Sequence, residues 1–89
     1  MTDEQILSDA INIALSDVMK ERNRQLELWG DQTHTNEIWL TVLTEEVGEV
    51  ARAILEHKYN KACKDNIEKE LIQVAAVAIA VIQDLRRRS

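Results

Sequence analysis

Ile38-Trp-Leu-Thr-Val-Leu-Thr-Glu-Glu-Val-Gly-Glu-Val-Ala-Arg-Ala-Ile-Leu55 is the stretch from which the rest of the chain is read. Its apolar residues, Ile38, Trp39, Val42, Leu43, Val47, Val50, Ala51, Ile54 and Leu55, recur at helical spacing and not in the strict alternation of a strand. The spacing predicts a helix capped by Thr35 or Asn36 and running to about His57. Inside it lies Glu45-Glu46-Val47-Gly48-Glu49. At about 100° per residue the three glutamates fan over roughly a quarter of the helix surface, and Glu46 and Glu49 are neighbours one turn apart. Such carboxylates repel. Water screens them on an ordinary solvated face; a divalent cation between them makes them useful, and Mg²⁺ favours hard oxygen ligands of this kind.

Two more helices flank this one. Thr2 and Gln5 fit a capping box opening the first. Its stripe of Leu7, Ile11, Ala14 or Leu15, and Val18 or Met19 continues through Arg22, Leu26 and Trp29 to a stop at Gly30. Asp31 to Thr35 reads as a polar loop and Lys58 to Lys64 as a short connection. Asp65 or Asn66 can cap the third helix, lined by Leu71, Val74, Ala75, Ala78, Val81, Ile82 and Leu85. From Val74 to Ile82 this helix is apolar all round, which calls for cover on every side. Two helices of one chain leave part of it wet, so a second subunit is the simplest cover. The expected fold is an all-α, single-domain, three-helix chain spanning residues 1–89, forming a dimeric or dimer-of-dimers helical bundle.

Composition agrees. The chain has 89 residues, no proline or phenylalanine, and glycine only at positions 30 and 48. Nothing breaks long helices, and a chain this short is marginal alone. A formal net charge of -5 argues against a general nucleic-acid binder. The single cysteine, Cys63, excludes an internal disulfide or a cysteine-rich zinc site and is compatible with a reducing cytoplasm. Met1 to Ala10 lacks the basic start and apolar run of a signal peptide, and Val74 to Ile82 falls far below the ~20 residues of a membrane span. A soluble, cytoplasmic protein is expected.

A second acidic element, Glu70-Leu71-Ile72-Gln73, sits near the start of the third helix. If helices two and three pack antiparallel, Glu49 and Glu70 lie at similar levels, ~12 and ~7 Å from the connection. Facing acids in a bundle are an established way to build a metal site.

These two elements, with Glu21 to His34 (ERNRQLELWGDQTH) and Leu71 to Ile82 (LIQVAAVAIAVI), resemble the MazG-type all-alpha nucleoside triphosphate pyrophosphohydrolases, marked by E-E-x-x-E on one helix and E-x-x-D on the next. The resemblance covers about residues 20 to 85. It implies cleavage of an NTP or dNTP to the monophosphate and pyrophosphate, with Mg²⁺, or Mn²⁺ as a substitute. Carried over residue by residue, Glu46, Glu49 and Glu70 match the acidic ligands. Glu45 matches an acid that orients or deprotonates the attacking water, a role Glu46 can share. Gln73 takes the place of the last aspartate ligand; its amide oxygen can ligate but brings no charge, leaving the number of metals open. A dUTP-directed relative and a catalytically inactive helical interaction module are the alternatives.

Other residues carry a functional and an ordinary reading side by side. Arg22, a charge on an apolar stripe, contacts phosphate, pairs with the glutamates, or snorkels to water. Trp29 stacks on a base or plugs a helix end, whereas Trp39 reads as core. Gln25 and His34 bond a base or sugar, or are simply solvated. Arg86, Arg87 and Arg88 complement the helix dipole or attract triphosphate. Cys63 is assigned no chemistry.

Overall fold

The computed structural model describes residues 1–60 and 65–89, with the side chains at 60 and 65 left aside. The expected cap at Asp65 and the position of Cys63 therefore lie outside the described residues. Three helices account for the chain: α1 (Asp3–Trp29), α2 (Asn36–Asn60) and α3 (Asp65–Arg88), with no strand among the described residues. The fold is all-α.

The helix ends follow from local chemistry. Thr2 caps α1, its hydroxyl accepting the Gln5 amide at 3.1 Å. Gly30 ends α1 with φ of 73°, a left-handed conformation that costs glycine little, while its N–H donates to the Leu26 carbonyl. Thr35 opens α2, its hydroxyl accepting the Ile38 amide at 3.3 Å. The sequence places the end of α2 near His57; it runs one turn further, to Asn60, because nothing in His57-Lys58-Tyr59-Asn60 breaks a helix.

α3 is the central element and packs against both other helices; α1 and α2 make no close backbone approach to one another among the described residues. α2 runs antiparallel to α3. Asn36 meets Arg88 and Trp39 meets Asp84 at one end, while Glu46, Gln73 and Val77 share a cleft further along. α1 runs alongside α3 in the same direction: Lys20 and Glu21 border a groove with Lys69 and Ile72, and Asp31, just past α1, meets Arg87.

The buried apolar set is small: Trp39, Ala53, Ala76, Val77 and Ala80. Alanines at three of the four remaining positions let helix backbones approach closely. The expectation that α3 is covered all round is met on one side only. Ala76, Val77 and Ala80 are buried, whereas Ile82 and Leu85 are each more than two-fifths exposed. No helix among the described residues is long and apolar enough to cross a membrane.

Candidate functional site

α1, α2 and α3 enclose an open cleft of about 360 Å³, lined among others by Glu21, Arg22, Arg24, Gln25, Trp29, Glu46, Gln73 and Val77. Five of the residues singled out from sequence thus converge on one cavity: Arg22, Gln25 and Trp29 from α1, Glu46 from α2 and Gln73 from α3. Glu45, Glu49, Glu70 and His34 do not line it.

Glu46 is the electrostatic centre of the cleft. Partial burial raises its pKa, and the charges of Glu70, Glu49, Glu21 and Glu45 raise it further, in that order. The antiparallel register expected from the short connection does place the acidic turns of α2 and α3 within reach of each other. Glu45 faces solvent, as its weakest place in that order implies. Glu49 is half-buried as a residue, with its carboxylate turned toward the Arg52 guanidinium one turn on.

Glu21 is a further acid of the cluster that the sequence reading did not single out. It reaches the cleft because α1 crosses α3 there. Its carboxylate accepts from Arg24 at 2.8 Å and from the Gln25 amide at 3.2 Å. The Arg24 hydrogen bond is the main cause holding Glu21 below the usual carboxylate range. The only signal for it in the sequence is its place two turns before Trp29 on a helix already bearing Arg22 and Gln25.

Arg22 is buried and does not snorkel. Its Nε donates to the Gln83 side-chain oxygen at 2.9 Å and its terminal nitrogen lies 3.9 Å from Asp31, so its partners are on α3 and the loop, not among the glutamates. Gln25 is buried too, held by Glu21. Trp29 is 60% exposed and presents its ring at the mouth of the cleft instead of plugging the helix end. His34 is half-buried beside the cleft, its ring edge-on to Trp39 at 4.7 Å and its Nε2 3.2 Å from the Gln32 side-chain oxygen. Trp39 is core, as expected.

One wall of the cleft is fixed by a carboxylate that the sequence reading passed over. Asp84 is fully buried. It accepts the Trp39 indole N–H at 2.8 Å and the His34 backbone N–H at 3.1 Å, and Arg87 and Arg88 lie 3.2 and 3.5 Å from it. The Trp39 bond first, then those from His34 and Thr33 and the Arg88 charge, lower its pKa to about 2 against the opposing effect of burial. Arg87 also donates to the Gln32 carbonyl and pairs with Asp31. Two of the three terminal arginines therefore bind the 31–36 loop to α3.

The donor chemistry around Glu46 suits a hard cation: carboxylates from Glu46, Glu49 and Glu70 and an amide oxygen from Gln73. Among the described residues no three acidic, histidine or cysteine side chains are drawn together around one point. Mg²⁺ commonly keeps several waters and takes one or two carboxylates directly, so the set fits it without a closed cage.

No family model, no curated protein and no solved structure matches the chain.

Proposed function

We propose that the chain is a Mg²⁺-dependent nucleoside triphosphate pyrophosphohydrolase that cleaves (d)NTP to (d)NMP and pyrophosphate, acting as a homo-oligomer in nucleotide-pool control. The observation that carries this reading is that the charges of Glu70, Glu49 and Glu21 act on Glu46 in a cleft that also holds arginines and an exposed tryptophan. Acids for a metal, cations for phosphate and an aromatic face for a base are what a nucleotide hydrolase needs in one place. The EEVGE and ELIQ elements add the family resemblance.

Glu46, Glu49 and Glu70, with the Gln73 amide oxygen, would hold Mg²⁺; Mn²⁺ would substitute. The ion supplies charge neutralisation for the triphosphate and a lowered pKa for bound water. Glu46 is the better-placed general base, since it lines the cleft whereas Glu45 faces solvent. It takes the proton of a water whose oxygen forms the new bond to the α phosphorus. The α–β bridging bond breaks and pyrophosphate leaves. Glu45, outside the cleft, orients water through its charge at most. Arg24 at the rim draws in phosphate, and Trp29 offers its face to the base. Arg22 and Gln25 shape the floor.

The competing reading is a helical interaction module without catalysis, favoured by the Glu49–Arg52 pair and the uncharged Gln73. Pyrophosphate release from each common NTP and dNTP and from dUTP, with Mg²⁺ and with EDTA, separates the two. Mg²⁺-dependent release that disappears in Glu46→Gln and Glu49→Gln is expected, and preference for dUTP would mark the dUTP-directed variant of the same activity. Absence of release from folded protein with every substrate sinks the proposal and leaves the interaction module.

A further inference from the structure

The first half of α1 has nothing among the described residues of its own chain to lie against. Every residue from Met1 to Asp17 is exposed, including Leu7 at 64%, Ile11 at 52% and Leu15 at 56%. On a helical projection Leu7, Ile11, Ala14 and Val18 lie in line with Arg22 and Gln25, the residues that α1 buries further along. Their spacing of four, three and four is that of a coiled-coil seam. α2 carries a second seam, Leu40, Leu43, Val47, Val50 and Ile54, whose first two residues border an open groove with Val81 and Leu85 of α3. Leu40, Val47 and Ile54 in it are exposed, and Leu43 and Val50 are only half-buried.

The arm seam fits within the length of the α2 seam: Leu7 to Val18 rises about 16 Å and Leu40 to Ile54 about 21 Å. They do not meet within one chain, since α1 and α2 make no close backbone approach among the described residues. The exposed area indicates that another molecule is needed. The chain exposes 6815 Å², whereas a compact monomer of 10.2 kDa exposes about 5300 Å². The excess of about 1500 Å² per chain corresponds to the interface of an obligate dimer. A radius of gyration of 15.3 Å, against about 12 Å for a compact chain of this length, gives the same picture. A membrane surface fits poorly: the segment before Lys20 bears Asp3, Glu4, Asp9 and Asp17 and no basic side chain.

We infer that the amino-terminal half of α1 is an arm that docks on a second copy of this chain, its Leu7–Ile11–Ala14–Val18 seam packing on the partner's Leu40–Val47–Ile54 seam. Twofold symmetry satisfies both copies at once, each giving an arm and receiving one. This arrangement goes beyond a covered α3 and holds whether or not the cleft is catalytic.

Sedimentation equilibrium of the full chain tests it, with Ile11→Asp and Val47→Asp as seam variants and Ile13→Asp, on the other side of the arm, as control. The wild type sediments as a dimer or an even multiple of it. Each seam variant weakens dimerisation by at least about tenfold, a loss typical of a charge placed in an apolar contact, and Ile13→Asp leaves it unchanged. A monomeric wild type overturns the inference, as does a control that weakens association more than the seam variants. Hydrogen exchange on the unmodified protein gives a test free of folding defects. Amides 7 to 18 exchange slowly in the associated protein; exchange there at the rate of an isolated helix refutes the docked arm.

Discussion

Replacing Trp39 by phenylalanine removes one N–H and little else of the ring's polarity. The lost donor is the 2.8 Å bond to the buried Asp84 carboxylate. A hydrogen bond to a charged acceptor contributes about 1.5–3 kcal/mol. The smaller ring, at a site only 5% exposed, leaves a void costing about a further 1 kcal/mol. Trp39→Phe therefore destabilises by about 3 kcal/mol, a fall in Tm of about 12–24 °C for a chain of this size. Thermal melts followed by far-ultraviolet circular dichroism, at one fixed protein concentration so that association is held constant, read this directly. The His34 ring, edge-on to Trp39, keeps an aromatic neighbour in the variant, so its contact is largely conserved. A Tm within about 2 °C of wild type shows that Asp84 finds equal partners without the indole and that the clamp on the 31–36 loop is not as described.

Three further outcomes follow from the charges and from one glycine. Glu46→Gln removes a charge from among Glu70, Glu49 and Glu21, so the fold gains about 0.2–0.5 kcal/mol, the scale of like-charge pairs on helices, while pyrophosphate release is abolished; denaturant melts showing a loss of stability contradict the repulsion. On acid titration Asp84 and Glu46 act oppositely. The folded pKa of Asp84 is depressed to about 2, so its contribution is complete above the unfolded value near 4 and disappears as pH falls through about 2. Glu46 has a raised folded pKa, so its penalty applies above that pKa and is relieved as pH falls through it. Asp84→Asn should flatten the loss of Tm between pH 4 and pH 2; an unchanged profile removes Asp84 as its source. Gly48→Ala stabilises by about 0.5–1 kcal/mol, because Gly48 is in a helix interior and an added Cβ meets nothing within 4 Å. Destabilisation there instead reveals a partner copy packed against that face.

Much of the framework was legible because its determinants are local. Thr2, Gly30 and Thr35 act within one turn, and the apolar spacing of α2 needs no partner to be read. Rise per residue and a short connection put Glu49 and Glu70 at similar levels, and the charge of Glu70 does reach Glu46 in the same acidic turn. The less legible parts depend on pairs far apart in sequence. Asp84, between Gln83 and Leu85 near a basic helix end, looks like an ordinary surface acid until the 31–36 loop folds over it. Arg22 was recognised as a charge on an apolar stripe, yet its partner Gln83 is 61 residues away. Glu21 joins the acidic cluster only because α1 packs on α3 beside Lys69 and Ile72. In His34 the ring suggests a role, whereas its backbone N–H makes the contact to Asp84.

The Asp84 clamp also bears on the order in which the molecule assembles. Each helix is held by contacts between near neighbours in sequence, which form fast. Trp39 and Asp84 are separated by 45 residues and His34 and Asp84 by 50, so their union must close the whole α2–α3 hairpin and wait on its loop entropy. The wall of the cleft is then among the last parts to form, and substitutions there should speed unfolding more than they slow folding.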